Sequence, residues 1–305
     1  MLNSILLLIS ITMMYSTPLI FGALGGLISE KSGVTNIGIE GMMTMGAATA
    51  VCVAYTTGNP WIGFLAAGAI SGLLALLHSI ASIKFKADQI VSGIAINLLG
   101  SGAALFITRL LFGGTNTPAV PNKLPKIFGD SSNLGILKNF NFDITVIIAL
   151  AFTVIIWFIL YKTKWGLRIL AVGEHPQVAN TLGINVYKIR YICVIASGIL
   201  AGFGGASVTL AIISNFTPTV ISGQGFIALA AVIFGKWKPF GVYKAGLIFG
   251  FAQALTIVLG GGKSIVPTQI LAMLPYILTI IVLILFVGKT VGPKASGVPY
   301  EKGQR

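Results

Sequence analysis

Acidic side chains are scarce: 7 Asp and Glu stand among 305 residues, beside 2 histidines and 2 cysteines. So few acids suggest no paired-carboxylate or Ser/His/Asp set, and His78 and His175 lie too far apart in sequence for a zinc site of usual spacing. Cys52 and Cys193 both sit in apolar runs, which argues against a disulfide framework. The chain is therefore not expected to be an enzyme or to hold a metal. Charge is rare altogether, at 9% of residues against roughly 25% in an ordinary soluble domain. That deficit excludes a water-soluble globular protein.

What is present is apolar, 55% of the chain, in long uncharged stretches over residues 1–29, 41–83, 89–108, 144–161, 191–235, 245–262 and 264–288. Each stretch can hold one or two hydrocarbon-spanning helices of about 20 residues. The runs are too long and continuous for barrel strands, so the expected fold is all-α, a polytopic transmembrane helical bundle. Cutting at turn signals such as Thr57-Gly58-Asn59-Pro60 predicts about nine spans, near 4–28, 38–56, 61–83, 90–112, 142–161, 191–213, 224–235, 245–261 and 268–288. The first lacks a basic leader and is longer than a signal-peptide core, so it is read as a retained helix. Residues 1–288 then form the membrane domain and 289–305 a cytoplasmic tail.

The 20 Lys and Arg give a formal charge of +13. In a soluble protein that excess would suggest nucleic acid; here it reports orientation. With nine spans and a cytoplasmic C-terminus, 15 basic residues fall inside, and Lys123, Lys126, Lys138 and Lys263 fall outside with Arg109 near the outer end of the fourth span. The N-terminus is then external and no nucleic-acid partner is implied. The outer loop 113–141 is the sizeable extracytoplasmic feature, either a contact for an external partner or an inert connector.

The larger cytoplasmic loop, 162–190, contains helix punctuation. Glu174 and His175 precede Pro176, suited to a first helical position, and Gly183 suits the residue past the end. A helix of about two turns over 176–182 follows, flanked by basic residues able to sit near anionic lipid headgroups. Alone in water so short a helix is marginal, so its rigidity must come from docking onto its own protein or another.

Small residues recur at four-residue spacing in Gly22/Gly26, Gly68/Gly72, Gly198/Gly202, Ala201/Gly205 and Gly246/Gly250, either as packing seams or as places where helices slide. Polar side chains within the spans are few: Asn36, Glu40, Asn97, Gln224, Gln253 and Gln269. Such groups normally face a cavity or the bundle interior. Glu40 follows a glycine-interrupted start to the second span, a pattern that can line a substrate site; it can equally sit at the interface, paired with Lys31 or solvated. Asn97 and Gln253 either meet a ligand or bond across to a neighbouring helix. Two motifs fail: Gly262-Lys263-Ser264 lacks the glycine a phosphate loop needs at Ile257, and GILAGFGGAS has Ser207 where a dinucleotide motif ends in glycine.

Several strings together resemble the inner-membrane permease subunits of bacterial ATP-binding-cassette importers, in the branch for simple sugars and nucleosides. They are LGGLISEKSGVTNIGIEGMM from Leu24, QIVSGIAINLL from Gln89, GLRILAVGEHPQVANTLGINVYKIR from Gly166, SGILAGFGGA from Ser197 and AAVIFGKWKPFG from Ala230. The first and last are most like the smaller permease of nucleoside transporters. The resemblance implies that the helix between Gly173 and Gly183 is a coupling helix seated in an ATPase subunit, with Gly173, Glu174, His175, Pro176, Ala179, Gly183 and Ile184 at that contact. His175 stands where the family more often has Asn. It further implies that Asn36, Glu40 and Asn97 lie near the translocation path, to which Gln253 is added from its place in a span. ATP and Mg would reside on the partner ATPase, with no cofactor in this chain. A second, related but non-identical permease and an extracytoplasmic substrate-binding protein would complete an importer in the bacterial cell membrane. The alternative reading is an ion-coupled secondary transporter for a small polar solute.

Overall fold

The computed structural model describes residues 2–128, 141–260, 270, 273–286 and 292–302. Among them the regular elements are helices: α1 Leu2–Lys31, α2 Ile39–Thr57, α3 Pro60–Ser79, α4 Gln89–Phe112, α5 Ile144–Lys162, α6 Lys164–Glu174, α7 Pro176–Thr181, α8 Val186–Ser207, α9 Gln224–Phe234, α10 Pro239–Gly260 and α11 Leu274–Phe286. π-helical turns extend α3 over Ile80–Lys84 and α8 over Val208–Ile212. The all-helical expectation holds. Lys138, Lys263, Gln269 and the glycine-lysine-serine motif lie outside the described residues.

Helices occupy all nine expected places, and six of them, α1, α3, α4, α5, α8 and α10, are long and apolar enough to cross a membrane. The other three differ for physical reasons. In α2, 14 of 19 residues are buried, so the helix is wrapped by protein and needs no lipid-compatible face. At 11 residues α9 is about 16 Å long, roughly half a hydrocarbon core of about 30 Å. The described part of α11 has 13 residues.

Local sequence explains the joints. Between α2 and α3, Gly58 takes the left-handed conformation at φ 70°, Asn59 Oδ1 accepts the Trp61 N–H at 2.9 Å, and Pro60 opens α3, so one four-residue string stops a helix and starts the next. The 162–190 loop holds more helix than its punctuation predicted. In α6 the buried positions Gly166, Ile169, Val172 and Gly173 share one face, and Thr163 caps its first turn.

The core is built on close backbone approaches around α8. A Cβ on Gly198 would lie 2.6 Å from the Ser71 carbonyl of α3, and one on Gly46 of α2 would lie 2.7 Å from Gly202 Cα; at Gly205 it would collide with the Met43 carbonyl of α2. Gly68 and Gly72 meet Phe203 and Ile199, Gly246 and Gly250 meet Ile20 and Ser16, and Gly22 and Gly26 meet residues of α9 and Ile39. The glycine pairs are packing seams in this conformation. The stacked Phe64 and Phe203 rings, 4.5 Å apart, fill the space beside them.

Connections separate onto two ends. At one end Asn122 donates to the Gly58 carbonyl at 2.9 Å, and the Thr117, Val120 and Leu124 N–H groups donate to Phe216, Ser214 and Leu210. At the other end lie Glu30, bonded to the Trp237 indole, together with Lys86, α6, α7 and residues 292–302. The bonds of residues 292–302 to Thr35, Lys86, Gly173, Gln177 and Arg190 are made at this second end.

Candidate functional site

The turn between α1 and α2 organises one half of the molecule's interior. Asn36 is fully buried; its Oδ1 accepts the Gly38 N–H at 3.1 Å and its Nδ2 donates to Ser197 Oγ at 3.0 Å. From α4, Asn97 accepts the Gly41 N–H at 2.8 Å and donates to the Ile37 carbonyl at 3.0 Å. His78 lies between Ser92 Oγ at 2.9 Å and the Thr35 carbonyl at 3.3 Å. Both asparagine amides thus bond at the start of α2, which for Asn97 is the bond across to a neighbouring helix.

Glu40 is not paired with Lys31 and is only partly exposed. Its two oxygens accept the backbone N–H groups of Gly223 at 2.6 Å and Gly225 at 2.7 Å. Gly223, at φ 88°, turns the chain into α9, which has no cap from its own neighbouring side chains. A carboxylate placed there satisfies donors that a helix start leaves open and complements the positive end of its dipole. Because Gly41 touches α4 at Asn97, eight residues and about 12 Å along α4 from Gln89, this cap lies deep within the bundle.

Beside the head of α9 that Glu40 caps lies an open cavity of about 280 Å³. Its wall includes Tyr15 of α1, Ser222 and Gln224 at the head of α9, Gln253 of α10 and Tyr276 of α11. Tyr276 donates to the Ser222 carbonyl at 2.7 Å. The amide oxygens of Gln224 and Gln253 are buried and accept no hydrogen bond. Of the four residues expected on a path, Gln253 lines this cavity, Glu40 supports its wall from behind, and Asn36 and Asn97 stand away from it in the α2 scaffold. Tyr15, Ser222 and Tyr276 were missed because aromatic and hydroxyl side chains in apolar helices carry no periodic signal.

The opposite feature is a knob at the second end. Pro176 opens α7, the helix ends at Thr181, and Gly183 at φ 80° reverses the chain. Asn185 Oδ1 then accepts the Lys188 N–H at 3.0 Å to start α8. Glu174, His175 and Gly183 are exposed, Pro176 and Ile184 are half-buried, and Gly173 and Ala179 are buried. The buried pair docks the knob to its own protein: a Cβ on Gly173 would strike the Lys31 carbonyl. The apolar surface that α7 offers outward is Val178, 56% exposed, and Leu182, 74% exposed, neither of which the punctuation singled out.

Residues 292–302, within the expected C-terminal tail, lie along the same surface. Ala295 N–H donates to the Gly173 carbonyl at 2.9 Å, Ser296 and Thr35 hydroxyls are 3.0 Å apart, and Arg190 donates to the Val298 carbonyl at 3.1 Å. Gln177 of α7 donates to the Glu301 carbonyl at 2.7 Å, and Lys86 pairs with the Glu301 carboxylate at 2.6 Å.

The described residues thus present an open groove at the head of α9 and an exposed helical knob at the second end. The family model for the permease component of the branched-chain amino acid transport system matches residues 8–285. The chain belongs to that permease family. It is 48% identical to the guanosine ABC transporter permease protein NupQ of Bacillus subtilis, over 98% of each chain. It is 40% identical to the nucleoside ABC transporter permease protein NupC of Lactococcus lactis, over 99% of each. The guanosine ABC transporter permease protein NupP of Bacillus subtilis is a more distant relative, 26% identical over 92% of this permease and 80% of that protein. The permease is a multi-pass membrane transport subunit and not an enzyme.

Proposed function

We propose that this permease is one membrane half of an ATP-binding-cassette importer that carries nucleosides by alternating access. The observation that carries the substrate class is whole-length identity of 48% and 40% to two permeases named for guanosine and for nucleosides. In this reading α7 is the coupling helix, with Glu174, His175, Val178, Leu182 and Gly183 toward a separate ATPase that holds ATP and Mg. Gly173, Ala179 and Ile184 seat the helix. The second permease is a related, non-identical chain, a reading supported by two distinct permeases, NupQ and NupP, bearing the guanosine transporter's name in one organism. A substrate-binding protein delivers nucleoside to the outer end.

Nine crossings fit the geometry if α9 and the segment 213–223 together make one of them, a half-helix entered through irregular backbone of the kind that lines substrate sites. The basic second end then faces the cytoplasm, with the N-terminus outside. Ion-coupled transport is disfavoured because Glu40 has both oxygens occupied by backbone N–H groups, and coupling sites need an acid free to exchange its partner.

Purifying the chain with its neighbours into proteoliposomes tests this. ATP hydrolysis should rise with nucleoside-loaded binding protein, and labelled nucleoside should accumulate without an ion gradient. Uptake in which ribose or galactose outcompetes adenosine, guanosine and uridine would overturn the nucleoside reading, and uptake driven by an ion gradient without ATP would overturn the importer.

A further inference from the structure

We propose that the open cleft between α5 and α10 at the second end binds one anionic phospholipid, its phosphate held by Lys238, Lys244 and Lys162 and an acyl chain lying along both helices. The inference rests on the membrane placement argued above, with the second end at a leaflet surface, and does not depend on which solute is carried.

At the second end α5 finishes and α10 begins, and the Trp157 and Phe240 rings meet there with centroids 5.9 Å apart. Around them opens a cleft of about 460 Å³, lined by Trp157 and Tyr161 of α5, Lys238 just before α10, and Phe240 and Lys244 in its first two turns. Lys162 stands beside it, with Nζ 5.8 Å from the centre of the Trp157 ring. All three lysines are exposed, and among the described residues no carboxylate pairs with any of them. Glu30, at the same end, is buried and accepts from the Trp237 indole instead. The first turn of α10 borders the cleft, so the positive end of that helix adds to the lysines.

Cations gathered with Trp and Tyr at the end of membrane helices match the headgroup layer, and basic clefts between such helices suit phosphorylated headgroups. What selects a lipid over a free phosphate is the surface beneath. On α5, the exposed Leu150 and Val154 share one stripe with Trp157 and Tyr161; on α10, the exposed Ile248 and Phe251 continue the stripe of Phe240 and Lys244. From Leu150 to Tyr161, and from Phe240 to Phe251, is about 16 Å of helix, the depth of one leaflet in a hydrocarbon core about 30 Å thick. Both stripes thus run from cations at the surface to apolar side chains at the midplane, the polarity of a phospholipid. Because α5 leads through Thr163 directly into α6 and the knob, a lipid bridging α5 to α10 steadies the base of that segment.

The complete transporter, purified in detergent and depleted of lipid, is titrated with dioleoylphosphatidylglycerol, and bound lipid is counted by native mass spectrometry. Lys238→Gln and Lys244→Gln should each weaken retention about fivefold and together about 25-fold, so that the double variant holds one lipid fewer per complex. Dioleoylphosphatidylcholine, which carries no net charge, should not replace that lipid. Lys84→Gln, an exposed lysine outside the cleft lining, should leave retention within about twofold. Undiminished retention in the double variant would overturn the site, and so would equal weakening by Lys84→Gln, which assigns binding to the basic surface as a whole. Displacement of the lipid by an equal concentration of inorganic phosphate or glycerophosphoglycerol, which lack acyl chains, would overturn the lipid in favour of a free anion. If the variants do not assemble, wild type decides with a phosphatidylglycerol carrying a photoreactive acyl chain. Adducts on residues 150–161 and 240–251 would support the cleft; adducts confined to other helices, or Trp157 and Phe240 cross-linking to the second permease instead, would refute it. None of these readouts uses uptake, so their failure leaves nucleoside transport standing, and a transporter that prefers another solute leaves the lipid site standing.

Discussion

Removing the Glu40 carboxylate should detach the head of α9 from α2 and loosen the cavity wall. The bonds to Gly223 and Gly225 are 2.6 and 2.7 Å long, in the range of charge-assisted hydrogen bonds worth about 1.5–3 kcal/mol each. Glu40 is only partly buried, and water entering from the cavity can replace part of what is lost, so the lower end, about 3 kcal/mol for both, is the appropriate estimate for Glu40→Ala. That shifts the balance between docked and undocked α9 by roughly two orders of magnitude. Glu40→Gln keeps one acceptor and turns an NH2 toward the second N–H, so it should fall between wild type and Ala. Glu40→Asp, one methylene shorter, should resemble Gln. The readout is a cysteine placed at Ser222, reactive toward a membrane-impermeant maleimide. Native Cys52 and Cys193 are both buried, so the background is low. Labelling should accelerate in the order wild type, Gln, Ala, with uptake falling in parallel. Equal labelling rates and wild-type uptake in Glu40→Ala would refute the cap.

At α7, Glu174→Arg and Gly183→Val should leave insertion intact but release uptake from ATP hydrolysis, Gly183→Val also costing about 1–2 kcal/mol for a β-branched residue at φ 80°; normal coupled uptake in both would count against α7 as the coupling helix. Deleting residues 292–305 should raise amide hydrogen exchange across 173–184 and increase ATP spent per nucleoside, because the bonds to Gly173 and Gln177 are lost. Within that strap, Lys86→Ala should change stability by under about 1 kcal/mol, its ion pair being half exposed, whereas Arg190→Met should release the segment measurably. Gly205→Ala should abolish accumulation of folded protein by driving a methyl into the Met43 carbonyl, while Gly102→Ala, which meets nothing within 4 Å, should be silent in the same detergent melting assay.

Features encoded by neighbouring residues were legible in the sequence. The Thr57 to Pro60 string is read correctly as a helix boundary because capping and left-handed glycine are local chemistry. Pro176 and Gly183 likewise bracket α7 to within a residue. The small residues of α8 are legible as seams, since close approach leaves its mark as Gly and Ala at fixed spacing. The α6 helix was also within reach: Gly166, Ile169, Val172 and Gly173 follow a helical stripe, hidden by the basic residues that made the segment look like a loop. The length of α9 was not legible, because an uncharged run continues unbroken through residues 191–235 and hydropathy carries no mark where helix gives way to buried irregular backbone.

What escaped the sequence is pairing at long range, and the interior depends on it. Glu40 finds its donors 183 and 185 residues away, and nothing in the composition around Gly223 advertises an unfilled helix start. Asn97 and Gln253 look alike as lone amides in apolar helices, yet Asn97 bonds through both its oxygen and its nitrogen at the start of α2 while the Gln253 oxygen is buried without a donor. A burial preference cannot separate them, because both are sheltered and both are polar; only the tally of donors and acceptors after folding does. The same tally assigns opposite roles along one short turn. Between Lys31 and Glu40, the early residues meet α6 and the 292–302 segment through the Lys31 carbonyl, Gly33 and Thr35. The last residue holds the head of α9 at the cavity. Ten residues of backbone thus touch both the knob and the site, and Asn36 and Asn97 tie that turn to α8 and α4. This turn is one route by which a displacement of α7 reaches the cavity wall, which makes the bonds of Glu40, Asn36 and Asn97 places where transmission is open to measurement.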